Sequence, residues 1–297
     1  FRRDRIDLFH GLSHEIPFGM NKSGIKSVVS IHDLIFKVYP ETYTSIDRNI
    51  YDLKFRYACK NADRILAISE STRHDIIKYY RVDEGKIDVA YQSCSPMLNI
   101  GVEQQESFDV KSHYNLPDDY ILYVGTVEKR KNLKTLLSAL ASMETIDRPA
   151  LVVVGKGRSY KAECKDMVIN SGLQSSVFWL DYLWENDHLR SLYRHATIFV
   201  YPSLYEGFGL PVAEALLNKT PVITSNISSL PEAGGPSSAY IDPMSQSELG
   251  NAIKKLLGSK DLREKMAREG FDYANKKFDP KETTQKVVEI YHKTIEG

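Results

Sequence analysis

One stretch of the sequence combines two carboxylates, two glycines and a proline in a spacing that suits an anionic, hydroxyl-rich ligand. Residues 201–215 read YPSLYEGFGLPVAEA, an apolar strand followed by a helix in which Pro211 suits the first position. Residues 207–210 would then lie at the helix N-terminus, where exposed backbone N–H groups and the helix dipole favour a phosphate. Glu206 precedes this turn, and Glu214 lies about one helical turn inside the helix. The pattern predicts a diphosphate between two hydrogen-bond acceptors, with a sugar near one glutamate and a ribose near the other.

The same segment also admits a purely structural interpretation, in which Gly207 and Gly209 only tighten a turn and both glutamates are solvated. The glycines alone leave both interpretations open. The full string, however, resembles the E-x7-E motif of glycosyltransferase family 4, the retaining transferases of the GT-B fold. Further stretches that resemble this family lie along most of the chain: residues 31–34 (IHDL), 68–72 (ISEST), 124–126 (VGT), 130–132 (RKN), 154–157 (VGKG) and 230–232 (LPE).

The resemblance implies both the fold and the reaction. GT-B proteins are α/β proteins with two Rossmann-like domains, each a doubly wound parallel sheet, that face each other across a cleft. The implied activity is retaining transfer of a hexose from a nucleotide-diphosphate sugar to a hydroxyl of a saccharide or lipid-linked acceptor. Since the motifs resemble bacterial surface-polysaccharide enzymes, GDP-mannose is the leading expectation for the donor, with UDP- and dTDP-linked sugars close behind. By the same resemblance Glu206 contacts the donor hexose, Glu214 holds the ribose hydroxyls, and the diphosphate is bound by the amides of Gly207, Phe208, Gly209 and Leu210.

A basic pair, Arg130 and Lys131, follows the apolar strand that ends at Gly125. This position is again the carboxyl edge of a predicted parallel sheet, where such folds bind ligands. Taken alone, the charged residues 128–134 are more simply a solvated helix start. The family resemblance implies that the pair neutralises the diphosphate and supports the leaving group, with Gly125 and Thr126 in the same binding turn. Thr126 stands where many family members carry an arginine, so it marks a subgroup.

His32 follows the predicted strand at residues 27–31, at a carboxyl strand end in the first half of the chain. A single histidine is usually structural, but together with Asp33 it matches the family. The resemblance places His32 over the donor sugar, orienting a hydroxyl or the reacting face. His10 and His14 lack the helical spacing and the third ligand expected for zinc, and we interpret them as structural or acceptor-side residues.

Gly155 and Gly157 form a lone G-x-G, which is a weak dinucleotide fingerprint without a third glycine and a later acidic partner. We interpret Gly155 as a position where the donor nucleotide approaches the backbone, and residues 177–182 as a candidate flank of the base. The sequence contains no Asp-x-Asp, the usual carboxylate handle for a metal diphosphate. Transfer without a metal ion, and with no cofactor beyond the donor, is therefore predicted.

The composition limits which binding partners and which cellular compartment we expect for the protein. The chain has 297 residues, is 42% hydrophobic, and carries 39 basic and 39 acidic residues, so no global field attracts nucleic acid or an anionic membrane. Three cysteines without C-x-x-C spacing argue against a disulfide framework and a structural zinc. No apolar run reaches the ~18 residues needed to span a bilayer. We expect a cytoplasmic protein without nucleic-acid partners, and peripheral association with the inner face of a membrane stays open.

Short apolar strands alternate with amphipathic helices from Lys26 onward, which predicts two α/β domains. We expect a partial N-terminal, acceptor-side domain at residues 1–110, a donor-binding domain at 111–277, and a C-terminal helix at 278–297 that packs back on the first domain. The first domain has only three clear strands and no glycine-rich opening turn, so we expect its first units to be missing.

The individual elements are also predicted. Predicted strands are residues 27–31, 64–68, 87–91, 120–124, 151–154, 177–180, 198–201 and 222–224. Predicted helices are residues 48–61, 69–80, 133–143, 160–171, 187–195 and 212–217, with a helical tail at 247–295 that breaks near 278–280. The polar stretch at residues 93–115 is the candidate connection.

Two other functions share these features. A GT-B-like nucleotide-sugar epimerase would abstract a proton and convert donor without any acceptor. A non-catalytic nucleotide-sugar binding fragment would bind donor and show neither hydrolysis nor transfer. An incubation without acceptor separates these alternatives from a transferase.

Overall fold

The computed structural model describes residues 5–94, 108–181, 183 and 185–297. Within the predicted connection, residues 95–107 lie outside the described residues, as does Tyr182 at the end of the candidate base flank. The described residues form two compact units. The first takes in those of Phe1–Ser93 together with Glu206–Phe208 and Phe278–Gly297, and the second takes in those of Cys94–Tyr205 and Gly209–Lys277.

The first unit is built on a parallel sheet that has four strands in the described part of the chain. The strands lie in the order β1-β2-β3-β4, and the three predicted strands are β2, β3 and β4. The strand that sequence analysis missed is β1, which pairs with β2 at the edge of the sheet. The bounds are β1 Leu8–Gly11, β2 Lys26–Ile31, β3 Arg64–Ala67 and β4 Ile87–Val89, with helices α1 Ile35–Val38, α2 Ser45–Asn61 and α3 Glu70–Tyr80.

Capping side chains determine where α2 and α3 begin. Thr44 precedes α2, and its side chain accepts a hydrogen bond from the backbone N–H of Asp47 at 3.2 Å. Ser69 precedes α3 and accepts from the backbone N–H of Thr72 at 2.9 Å. Such caps satisfy backbone donors that the helix itself leaves unpaired. The predicted start of α2 at Arg48 was therefore three residues too late, while the predicted Ser69 cap of α3 is confirmed.

The second unit contains a six-stranded parallel sheet in the order β10-β9-β8-β5-β6-β7 among the described residues. The order changes direction at β5, which pairs with β6 on one side and with β8 on the other. Ligands of doubly wound sheets bind at the carboxyl ends of the strands beside such a switch point. The bounds are β5 Tyr120–Val124, β6 Ala150–Val154, β7 Val177–Leu180, β8 Ile198–Tyr201, β9 Val222–Ser225 and β10 Ala239–Ile241.

Helices cover this sheet, and a last helix belongs to the first unit. The helices of the second unit are α4 Val110–Tyr114, α5 Leu133–Ala141, α6 Ser159–Asn170, α7 Asn186–His195, α8 Leu210–Leu217, α9 Leu230–Gly234, α10 Gln246–Leu257 and α11 Lys260–Lys277. The final helix, α12 (Pro280–Glu296), begins after the predicted break, with Asp279 accepting from the N–H of Lys281 at 2.7 Å. Lys293 of α12 forms an ion pair with Asp88 of β4 at 2.9 Å. Within the described residues, no helix has both the length and the apolar content needed to cross a bilayer.

Gly155 allows two loops at the carboxyl edge of the second sheet to come together. Its φ is 152°, and a Cβ at this position would lie 2.0 Å from the carbonyl oxygen of Gly125. The N–H of Gly125 donates to the carbonyl of Val154 at 2.9 Å, so this contact continues the pairing of β5 with β6. The residue that approaches the Gly155 backbone in the structure is therefore Gly125. Approach of a nucleotide to Gly155 stays a prediction.

Replacing Gly155 by alanine should destabilise the second unit strongly. Both the positive φ and the collision with backbone contribute, and together they should lower the free energy of unfolding by about 3 kcal/mol or more. Gly172→Ala is the matched control, because Gly172 also has a positive φ of 65° but has no atom within 4 Å of the added Cβ. Urea unfolding of both variants measures the difference. Equal losses of stability would contradict the importance of the Gly125 contact.

Candidate active site

The turn from β8 into α8 carries Glu206, and the helix itself carries the second predicted glutamate, Glu214. Glu206 is buried, with 7% of its surface exposed. Gly209 caps α8 with a φ of 108°, and a Cβ there would lie 3.0 Å from the Leu230 side chain. The helix therefore begins at Leu210, two residues earlier than predicted, with Pro211 in its first turn. This start leaves the first backbone N–H groups of α8 without partners inside the helix, which is the property that favours an anion.

The predicted basic pair lies directly beside the residues that lead into Glu206. Arg130 is 8% exposed, and its guanidinium donates to the carbonyl of Tyr205 at 2.5 Å and to Glu128 at 2.6 Å. Lys131 donates from Nζ to the hydroxyl of Tyr201, the last residue of β8, at 2.5 Å. These bonds join the turn after β5 to the turn after β8. The structure thus brings together the basic pair and the entry to the glutamate turn.

Asn132 fastens the same two turns and was not predicted as a site residue. It adopts a left-handed conformation with φ 58°, which asparagine tolerates better than most residues. Its amide donates to the carbonyl of Pro202 at 3.0 Å and to that of Pro243 at 2.8 Å. The hydroxyl of Ser203 adds a bond to the carbonyl of Arg130 at 3.1 Å. Only contacts between distant residues reveal this role, although Asn132 stands within the RKN stretch that resembles the family.

Glu214, on α8, accepts a hydrogen bond from the hydroxyl of Tyr193 at 2.9 Å. Tyr193 is fully buried, so this bond anchors a partly buried carboxylate to the core. Burial raises the pKa of Glu214 above its ordinary value of 4.5, and the Tyr193 bond opposes that shift. The raised pKa means that ionised Glu214 lacks part of the solvation it would have in water. A ribose hydroxyl could compensate by donating a hydrogen bond to the carboxylate.

The raised pKa predicts a pH-dependent effect of Glu214→Gln on stability. Because the folded state holds the proton more tightly, ionisation favours the unfolded chain, and wild-type stability falls as pH rises from 4.5 through the raised pKa. Glutamine does not titrate, so the variant should gain stability relative to wild type over that interval. Urea unfolding below and above pH 4.5 tests this. A stability difference that does not change with pH would contradict the prediction.

His32 lies in the first unit with both ring nitrogens engaged. Nε2 donates to the carbonyl of Leu12 at 2.8 Å, and Nδ1 accepts from the side-chain amide of Gln92 at 3.0 Å. Its backbone N–H donates to Nδ1 of His14 at 3.3 Å. The imidazole of His32 is therefore oriented by protein groups. Its predicted contact with the donor sugar stays a prediction, and it would require a sugar hydroxyl to replace one of these partners.

The segment Glu206–Phe208 is held within the first unit by two hydroxyl groups that sequence analysis did not assign to the site. The carbonyl of Gly207 accepts hydrogen bonds from Ser69 at 2.6 Å and from Thr72 at 3.1 Å, and both side chains are fully buried. Thr72 also donates to the carbonyl of His32 at 3.2 Å. A Cβ at Gly207 would lie 2.0 Å from that carbonyl oxygen, so only glycine permits the contact. Phe208 packs on Phe278 with ring centroids 5.1 Å apart.

The remaining predicted residues lie at the carboxyl edge of β5 and β6 in the second unit. Gly125 and Gly155 are in the contact described above, and Thr126 beside them is exposed. Lys161 is buried beneath this edge, where its ammonium binds the carbonyl of Gly155 and the carboxylate of Asp181. Among the described residues, no three His, Cys, Asp or Glu side chains are grouped so that they could hold a metal ion.

Two parallel-sheet α/β units, with a glycine-containing turn at the switch point of the second, define a protein of the GT-B class. A solved structure agrees: sucrose-phosphate synthase from Thermosynechococcus elongatus matches 97% of this chain and 73% of its own, with a TM-score of 0.80 and 22% identity. The predicted fold class is confirmed.

The family follows from the sequence comparisons. The model of glycosyl transferases group 1 matches residues 104–272, and that of Glycosyltransferase Family 4 matches residues 1–93. O-antigen chain mannosyltransferase B of Escherichia coli is 31% identical over 296 residues, covering 97% of this chain and 75% of that protein. The serotype-specific mannosyltransferase WbdA of Escherichia coli is 30% identical over 262 residues, but these are 85% of this chain and only 32% of WbdA. The chain belongs to the glycosyl transferases group 1, and the resemblance drawn from its motifs is confirmed.

Proposed function

We propose that the protein catalyses retaining transfer of a hexose from a nucleotide-diphosphate sugar to a hydroxyl of a saccharide or lipid-linked acceptor, with GDP-mannose as donor. The observation that carries the proposal lies within the second unit: the turn after β5 is bonded to the residues that lead into Glu206, through Arg130 to Tyr205 and through Asn132 to Pro202. The identity of 31% with an O-antigen mannosyltransferase supports mannose as the sugar.

In the proposed reaction, the bond between the anomeric carbon and the phosphate oxygen breaks while an acceptor hydroxyl oxygen attacks from the same face. The hydroxyl proton passes to the departing phosphate, and the nucleoside diphosphate leaves. Glu206 positions the sugar without acting as a nucleophile, and Glu214 holds the ribose hydroxyls. Lys131, Arg130 and the N-terminus of α8 meet the charge of the leaving group, which is the kind of preorganised stabilisation that lowers barriers most.

We further propose that the reaction needs no metal ion. The basis is the sequence, which offers two cations after β5 and no Asp-x-Asp for a metal diphosphate. Transfer should therefore survive exhaustive treatment with EDTA. Loss of transfer on chelation, restored by added magnesium or manganese, would show that the cationic residues are insufficient.

The experiment that tests the donor is thermal unfolding of the chain with GDP, UDP and dTDP. A nucleotide present at one hundred times its dissociation constant stabilises the folded state by ~2.7 kcal/mol. We expect GDP to stabilise most, and GDP-mannose to release GDP only when an acceptor hydroxyl is present. Stabilisation by none of the nucleotides would refute the proposal, and conversion of the donor without acceptor would favour an epimerase.

A further inference from the structure

Two oppositely charged groups that the proposed reaction uses are each bonded to the hydroxyl of a buried tyrosine in the second unit. Lys131 donates from Nζ to Tyr201 at 2.5 Å, and Tyr193 donates to a carboxylate oxygen of Glu214 at 2.9 Å. Both tyrosines are fully buried. Lys131 follows β5 and Glu214 lies on α8, so the two bonds tie different parts of the proposed donor site to the core of this unit.

The two tyrosines pack on the same ring, that of Phe199 in β8. Phe199 and Tyr201 are two positions apart in a strand, so their side chains lie on the same face of the sheet. Their rings are stacked with centroids 5.8 Å apart and an interplanar angle of 19°. Tyr193 approaches Phe199 from α7 edge to face, with centroids 5.4 Å apart. Phe199 is also fully buried, and we call these three residues the β8 aromatic cluster.

The residues around the β8 aromatic cluster hold it in place. Tyr123 of β5 packs on Tyr201 with ring centroids 6.2 Å apart, and the carbonyl of Tyr201 accepts from the hydroxyl of Thr224 at 2.9 Å. The carbonyl of Tyr193 accepts from the hydroxyl of Thr220 at 2.7 Å. Buried side chains in a close-packed interior occupy well-defined positions. The two tyrosine hydroxyls therefore stand at a fixed separation, which restrains the charged groups that they bind.

The Tyr201 end of the cluster lies at the turn that is predicted to bind the diphosphate. A Cβ on Gly125 would lie 3.6 Å from the Tyr201 ring and 3.8 Å from its hydroxyl oxygen, so the hydroxyl is next to the backbone of that turn. Nζ of Lys131 lies 5.1 Å from the centre of the same ring. A free lysine side chain loses conformational freedom when it binds a ligand. The contact with Tyr201 orders the ammonium before a phosphate arrives, which is preorganisation.

The Tyr193 end of the cluster orients a carboxylate without saturating it. The hydroxyl of Tyr193 binds only Oε2 of Glu214. In the part of the chain that the structure describes, no other hydrogen bond to this carboxylate is present. A carboxylate has about four lone-pair sites on its two oxygens. Oε1 of Glu214 is thus left to accept from a ribose hydroxyl, in a direction that the Tyr193 bond determines.

We propose that the two tyrosines of the β8 aromatic cluster are positioning residues for the donor. Tyr201 orients the Lys131 ammonium toward the diphosphate. Tyr193 orients the Glu214 carboxylate toward the ribose. Because both tyrosines pack on Phe199, the cluster sets the spacing between the cation and the carboxylate that a nucleoside diphosphate must span. The inference rests on the proposed function, which gives these two charged residues their ligands.

The test removes one hydroxyl at a time from the full chain and measures transfer and nucleotide binding separately. Tyr201→Phe should lower kcat for transfer from GDP-mannose about tenfold, with little change in the affinity for GDP. Tyr193→Phe should raise the dissociation constant of GDP about tenfold. It should leave unchanged that of 2′,3′-dideoxy-GDP, which lacks both ribose hydroxyls. Calorimetric titration with each nucleotide measures these affinities.

Tyr120→Phe is the matched control for the loss of a buried hydroxyl. Tyr120, in β5 of the same sheet, is fully buried, and its hydroxyl donates to the carbonyl of Leu192 at 2.8 Å. This variant should keep the kcat and both nucleotide affinities of wild type. Urea unfolding of all three variants establishes that they fold, since phenylalanine keeps the ring of each tyrosine.

A positioning role and a merely structural role give different results. A lower kcat in Tyr201→Phe, together with a selective loss of GDP affinity in Tyr193→Phe, supports the proposal. Wild-type values in either variant, or equal losses of affinity for GDP and the dideoxy analogue, overturn the positioning role of that tyrosine, while transfer by wild type leaves the transferase assignment standing. Absence of both GDP binding and transfer in wild type would contradict the proposed function, on which both positioning roles depend.

Discussion

Glu206→Gln is expected to lower kcat by about 10²- to 10³-fold while the affinity for GDP changes little. Glutamine keeps the volume of the side chain, so the buried turn should fold as before. It removes the negative charge and one acceptor from a residue that is only 7% exposed. In such a poorly solvated environment, the electrostatic interaction between a carboxylate and the sugar is stronger than it would be in water.

The measurement is steady-state transfer from GDP-mannose, with GDP binding followed separately by thermal shift. Glu282→Gln, an exposed substitution on α12 in the same unit, controls for the loss of one carboxylate from the chain. Wild-type turnover in Glu206→Gln would contradict the assignment of Glu206 to the active site. A loss of turnover that equals a loss of GDP affinity would mean that Glu206 acts in nucleotide binding.

Most strands of the second unit could be predicted because their residues are continuously apolar. Tyr120–Val124, Val177–Leu180 and Ile198–Tyr201 have the predicted bounds, and burial on both faces of a parallel sheet explains such runs. Edge strands lack this signal. Leu8–Gly11 includes His10 and is mostly half-buried, and Ala239–Ile241 has three residues, so neither forms a recognisable run.

The candidate site was predictable only where its residues follow one another in the sequence. The motif between Glu206 and Glu214 and the pair Arg130 and Lys131 are local strings at strand ends. The bonds that hold them, by contrast, join Gly207 to Ser69, 138 positions away, and Asn132 to Pro243, 111 positions away. No period or propensity encodes such contacts, since they depend on which loops the sheet order makes neighbours. Ser69 was correctly predicted as a helix cap, but its second hydrogen bond was not.

The geometry separates the roles of the two basic residues. The guanidinium of Arg130 spans the carbonyl of Tyr205 and the carboxylate of Glu128, so it supports the backbone immediately before Glu206. Lys131 has a different setting: Nζ lies 2.5 Å from the Tyr201 hydroxyl and 5.1 Å from the centre of the same ring. An ammonium is a compact point charge on a flexible stem, which suits a phosphate whose charge grows as it departs. We therefore expect Lys131 to carry more of the electrostatic effect.

Lys131→Met should reduce kcat by about 10²-fold or more, with a smaller change in KM for the donor, because the lost interaction strengthens as charge develops on the leaving phosphate. Methionine retains an apolar stem against Tyr201, so the turn should remain folded. Lys134→Met is the matched control. Lys134 lies three residues after Lys131, is half-exposed and forms an ion pair with Glu163 at 2.6 Å. Equal kinetics of the two variants would contradict a special role for Lys131. A rise in donor KM at unchanged kcat would show that Lys131 binds the ground state and the transition state alike, which would shift leaving-group stabilisation to Arg130 and the N-terminus of α8.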